Sequence, residues 1–309
     1  MREDMNSLSV SCFILRLWRW QRAKQKTTRR FKTNAYKITK RMVRGSHMTP
    51  GSQHLVDEKK SSLILLFWVF LLMRRYPRPF KLYSTQLPRR SPFSCVLDMI
   101  VLQNNSENEE QIKQSLQDLI TDLDLEENNK KTAFVSSTIC ISQKSQTNTS
   151  ERYCGVSMST KGPNAGKIMI AASCLSKWHK YVSGAVMTYY PNTVQKDYFD
   201  GTTEVPGNIR CEAFCLRDGA RMKPCRSCKN LFGLNTEDLR EWPYGNCAEA
   251  ESLSNLLENE REVETRVDEY SAEKDNRQRA EDEVDGFLEL CLQRIRFNWT
   301  GELYNPEQE

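Results

Sequence analysis

The sequence predicts an α/β fold: one domain from about residue 95 to 304, with a central β-sheet of about five strands flanked by helices. Three observations predict it. A helical apolar repeat opens this region, short β-type segments punctuated by Gly and Pro fill its middle, and helical repeats close it.

The elements follow in order. Ser106 and Glu109 form a capping-box pattern. Ile112, Leu116, Leu119, Ile120 and Leu123 then recur at helical spacing, which predicts an amphipathic helix over 107–124. Ala133–Ile141 and Arg152–Ser159 read as strands, as do Lys167–Ala172 and Ala185–Tyr190, with a short helical or turn segment around Leu175–Tyr181. Ile209, Cys211, Ala213 and Cys215 alternate with polar residues, as on a half-buried strand. Pro224 suits the first turn of a helix that Gly233 stops. A second helix runs from Asn246 through Leu257. Glu258–Asp285 is dense in charge, which predicts a solvated helix or a flexible insert and by itself no binding site; only under a non-enzymatic reading would it dock a protein partner. Phe287, Leu288, Leu290, Cys291 and Ile295 predict the inner face of a closing helix.

Charge divides the chain. Residues 1–94 carry 21 Lys and Arg against 4 Asp and Glu, a net +17, whereas residues 95–309 carry 24 against 36, a net −12. The first part reads as a disordered basic leader or as a stretch that is no part of the mature protein. Its apolar run, Leu63–Met73, has 11 residues, short of the roughly 20 that a membrane-spanning helix needs. A membrane role is therefore not expected, and the compartment predicted is cytoplasmic or nuclear. Use of the 63–73 run as a signal would make the protein secretory or membrane-anchored, and the sequons at Asn104, Asn148 and Asn298 keep that route open. An acidic domain disfavours duplex nucleic acid, whose phosphates are bound by Lys and Arg. The 11 cysteines are an odd number and are scattered, which points to a reducing compartment with metal-bound or buried thiols.

The densest chemistry lies between Cys211 and Glu249. Pro224-Cys225-Arg226-Ser227-Cys228 places two thiols at a predicted helix start, and Cys247-Ala248-Glu249 places a third at another. A helix N-terminus favours thiolates, and zinc favours thiolate ligands. Three outcomes fit these residues: an open zinc site with a free carboxylate, a zinc closed by Cys211 or Cys215, or core thiols with Glu249 solvated beside Glu251. A redox-active C-x-x-C lacks its usual strand–motif–helix opening. His179 stands alone without a triad partner. Thr160–Lys167 resembles a phosphate loop but has Ile168 where Ser or Thr belongs, so a hairpin turn is expected there.

The P-C-x-x-C and C-A-E motifs resemble those of the zinc-dependent cytidine and nucleic-acid deaminase superfamily. There the A-E motif precedes P-C-x-x-C, and here the order is reversed, as a circular permutation would produce. The resemblance implies a deaminase-like fold in which Cys225, Cys228 and Cys247 bind zinc and Glu249 shuttles a proton to the departing amine of a cytosine- or adenine-type base. The substrate it implies is a nucleoside, a nucleotide or a single-stranded nucleic acid. Trp242, Tyr244 and Asn246, just before Cys247, are the candidates for substrate binding. The rival reading is a non-catalytic, zinc-stabilised interaction domain with a closed cysteine site.

Overall fold

The computed structural model describes residues 85–104, 108–126, 135–145, 150–159, 163–269 and 274–304, which belong to one unit, Thr85–Glu309. The leader's 63–73 run lies outside them. The first described elements are strand β1 (Leu87–Pro88) and helix α1 (Pro92–Asn104). Helix α2 (Glu109–Glu126) follows. Ser106 lies outside the described residues, and the cap is Asn108, whose Oδ1 accepts from the Gln111 N–H at 3.1 Å. Ile112 and Leu116 of α2 are fully buried.

The central sheet has strands β2 (Thr138–Gln143), β3 (Tyr153–Val156), β5 (Arg210–Cys215) and β6 (Arg221–Met222), in the order β3-β2-β5-β6, with every neighbouring pair antiparallel. β2 is covered on both faces: Ile139, Cys140, Ile141, Ser142 and Gln143 are all buried. One face meets α2, where Lys113 sits over the Phe214 ring and Glu109 pairs with Arg210 at 2.8 Å. The other face meets helix α6 (Ala248–Asn259), whose Ser252 hydroxyl bonds Ser142 Oγ at 2.6 Å and Tyr153 O at 2.9 Å.

The central sheet has four strands rather than five: two expected strands are helices, and the short β6, which the sequence reading did not mark, joins the other three. Lys167–Ala172 lies in α3 (Pro163–Ser176), and Ala185–Tyr190 falls in α4 (Lys180–Tyr189) and its cap. The physical reason is burial on all sides. Ile168 through Cys174 and Val182 through Thr188 have no solvated face. A helix apolar all round shows the same unbroken run as a buried strand, and only its length separates the two. The same helix, starting at Pro163, also replaces the hairpin turn expected before Lys167.

Two short pairs complete the described strands. β4 (Thr203–Glu204) pairs antiparallel with β7 (Asp268–Glu269), and β1 pairs parallel with β8 (Leu303–Tyr304). Helix α5 (Arg226–Phe232) ends at Gly233, as expected, although Pro224 precedes its N-cap instead of entering its first turn. The charged 258–285 stretch is more built than a solvated insert: helix α7 (Arg261–Glu264) and β7 lie within it, and Val263 and Val267 are buried. The closing helix α8 (Lys274–Arg294) buries Ala280, Val284, Leu288, Cys291 and Leu292, a stripe at i, i+4 spacing. Leu290, off that stripe, and Ile295, just past the end of α8, are 51% and 39% exposed, against the inner-face expectation.

Candidate metal centre

Cys225 and Cys247 are the N-cap residues of α5 and α6. Their sulfurs face one point. Cys225 Sγ lies 3.5 Å from Cys247 Sγ and 3.7 Å from Cys228 Sγ, and all three sulfurs fall within 4.8 Å of one another. Two thiolates on a tetrahedral zinc, each about 2.3 Å from it, stand about 3.8 Å apart. The donor set and its spacing therefore fit a soft or borderline metal ion. Cys225 and Cys228 are buried, and Cys247 is half-buried.

The three thiols share a negative charge unevenly. Cys225 is held well below the usual thiol range by its contacts with the Cys228 and then the Cys247 sulfur, helped by the backbone N–H groups of Cys228 and Ser227. Those same contacts push Cys228 and Cys247 upward, and burial adds to the effect. Two helix N-termini add positive potential at the same point. A lowered thiol among three clustered sulfurs favours binding of a cation.

Two glycines let the helices come this close. Gly245, at φ 83°, turns the chain into Cys247, and a Cβ there would meet Ile170 Cγ2 at 2.9 Å. Gly155 lies under the first turns of α6, where a Cβ would stand 2.2 Å from Ser252 N and 2.7 Å from Ala248 O. Helix α6 is further anchored by Glu251, whose Oε2 accepts from Val156 N at 2.9 Å and Ser94 Oγ at 3.1 Å. Ser227 Oγ donates to Trp242 O at 2.6 Å and accepts from Trp242 N at 3.0 Å, which ties the loop before Cys247 back to α5.

Glu249 is 6% exposed, so the reading of it as a solvated carboxylate is corrected. Burial pushes its carboxyl up to about 7, opposed by its own backbone N–H and reinforced by the charge at Cys225. It is not one of the clustered ligands. Cys211 and Cys215 are not among them either. Cys211 Sγ instead touches Cys140 Sγ at 3.6 Å. Among the described residues, no fourth His, Cys, Asp or Glu completes the triad.

The three residues proposed from sequence for substrate binding separate. Trp242 is 52% exposed on the loop before the triad. Tyr244 is buried, its ring stacked on Tyr189 at 4.1 Å and its hydroxyl bonded to Asn230 at 2.9 Å. Asn246 is half-buried, and its carbonyl accepts from Met158 N at 2.8 Å. His179 caps α4 through Nδ1 and faces Glu264 at 3.4 Å, and burial lowers its pKa, so its role is structural.

No protein-family model, curated protein or solved structure matches the chain. No helix among the described residues is long and apolar enough to cross a membrane. The class that fold and site define is a mixed α/β domain with a three-cysteine candidate metal centre.

Proposed function

We propose that the chain is a zinc-dependent hydrolytic deaminase acting on a cytosine- or adenine-type base in a nucleoside, a nucleotide or a single-stranded nucleic acid. The observation that carries this reading is a buried, non-ligating carboxylate beside a three-thiol cluster. Cys225, Cys228 and Cys247 would hold the zinc, which when bound supplies an activated water near neutral pH.

The chain's own residues account for the rest. A carboxyl held near 7 takes and returns a proton with little cost at neutral pH, so Glu249 suits both halves of a hydrolysis. Its burial keeps competing water away from the proton it holds. The half-buried Cys247 marks the side from which a small planar base approaches, and the exposed Trp242 ring offers a stacking surface nearby. The reversed motif order does not weigh against the chemistry, because the site is defined by where the sulfurs and the carboxylate meet. The rival, a closed structural zinc, needs a fourth protein ligand, and the described residues supply none at the cluster.

The test is turnover. Zinc-loaded protein is offered cytidine, adenosine, their nucleotides and short single-stranded oligonucleotides, and release of ammonia is followed. Deamination by the wild type and a loss of at least about 100-fold in Glu249→Gln are expected, the size typical of a lost general acid–base group. Unchanged turnover in Glu249→Gln would refute the assignment.

A further inference from the structure

A second sulfur cluster lies behind the first and takes no part in it. Cys140 on β2 and Cys211 on β5 are diagonal neighbours across the sheet, since Cys140 pairs with Ala213 and Ser142 with Cys211. Their sulfurs are 3.6 Å apart. Cys140 is fully buried, and Cys211 is half-buried. Cys140 clusters with Ala213 and with Ala248, the first residue of α6, which stands between Cys247 and Glu249, and Cys211 packs against that cluster. No third His, Cys, Asp or Glu among the described residues joins this pair, and two sulfurs alone leave a zinc half-coordinated.

We propose that Cys140 and Cys211 form an oxidisable dithiol, a disulfide modification site for a small hydroperoxide, placed so that its closure shifts the start of α6 and loosens the three-cysteine centre. The accessible partner reacts first. The Cys211 sulfur attacks one peroxide oxygen, the O–O bond breaks, and the departing hydroxide takes the thiol proton and leaves as water. The Cys211 sulfur now carries a hydroxyl, a sulfenic acid. The Cys140 sulfur attacks it, the S–S bond forms, the S–O bond breaks, and a second water leaves with the Cys140 proton. Two thiols have given two electrons to one peroxide. The 3.6 Å separation of the two sulfurs puts Cys140 in reach of this second, intramolecular step.

The coupling to the centre is geometric. A disulfide holds its sulfurs about 2.05 Å apart, so each strand side chain must give way within a close-packed floor. Ala248 rests on that floor and is 1% exposed, which leaves α6 to absorb the displacement. Disturbing the supports of a metal ligand costs about 10- to 100-fold in affinity.

The full-length protein, saturated with zinc, is treated with hydrogen peroxide, alkylated, digested with trypsin and mapped by mass spectrometry with and without dithiothreitol. The tryptic peptide Cys211–Arg217 also contains Cys215, so Cys211→Ser and Cys215→Ser are run in parallel, with circular dichroism melting curves as the check on folding. A reducible link between the Cys140 and Cys211 peptides, kept in Cys215→Ser and lost in a folded Cys211→Ser, is expected. Zinc affinity in the linked protein is expected to fall by about tenfold or more, measured by competition with a chromogenic chelator. Cys140 alkylated in full while other cysteines have oxidised would overturn the site. A linked protein with unchanged zinc affinity would overturn the coupling. The mapping does not depend on deaminase activity, so the two proposals stand or fall separately.

Discussion

Gly155→Ala is the substitution that most directly probes how the centre is assembled. The added Cβ would stand 2.2 Å from Ser252 N, 2.7 Å from Ala248 O and 2.8 Å from Glu251 C, all backbone atoms of α6. None belongs to a flexible side chain that can swing aside. Relief to an ordinary contact of 3.4 Å requires a separation of about 1.2 Å between strand and helix. That movement disrupts the Ser252–Ser142 and Ser252–Tyr153 bonds and the Glu251–Val156 bond. Overpacking typically costs about 1–3 kcal/mol, and a clash made only with backbone belongs at or above the top of that range, so a loss of about 3 kcal/mol is expected. Gly207 is the control, because a Cβ there would meet nothing within 4 Å; Gly207→Ala should stay within about 0.5 kcal/mol of the wild type. Urea unfolding, followed by circular dichroism, measures both. The displacement also carries Cys247 away from Cys225, now 3.5 Å off, so zinc uptake should weaken in Gly155→Ala alone. Equal stabilities for the two variants would refute the close approach of α6 to β3 on which the site rests.

Two further predictions concern the metal and the opposite face of the sheet. Cys247→Ser should abolish or strongly weaken uptake of one zinc per chain while Cys215→Ser leaves it intact, measured by metal analysis after dialysis; equal loss in both would place the ligands elsewhere. Arg210→Met tests a pH-dependent contribution. Burial raises the Glu109 carboxyl, but hydrogen bonds and charge from Arg210, then Lys113, more than offset this, so the folded pKa lies below the ordinary 4.5. A depressed carboxylate contributes stability above the unfolded pKa that is lost as pH falls through the folded one. Arg210→Met should therefore cost about 1–3 kcal/mol at pH 7 and less at pH 4 in urea titrations, and a pH-independent cost would count against the pairing.

Much of the centre was legible in the sequence. C-x-x-C and C-A-E each place thiols at a helix start, and a helix start is a local property of turn, cap and apolar repeat. Cys225, Cys228 and Cys247 accordingly meet. The β5 strand and the α2, α5 and α6 helices were also visible from a solvated side or a clear start or stop signal, and β2 and β3, buried on both faces, from short β-type runs between polar and Gly/Pro breaks. The α3 and α4 helices were not. With Ile168 through Cys174 and Val182 through Thr188 buried on every side, no polar face remains to reveal the helical period.

The sequence by itself determined the donors: three thiols at two helix starts, with a carboxylate two residues beyond the last. Only the tertiary structure decided their environment. It buried Glu249, left Cys211 and Cys215 outside the cluster, and set Cys211 against Cys140 from another strand. It also turned Tyr244 into the core and left Trp242 on the surface, although the two are separated by a single residue. The reason is that spacing along the chain governs which side chains share a helix end. Burial and charge depend on which distant segments arrive on the other side, and those are joined only by the packed sheet.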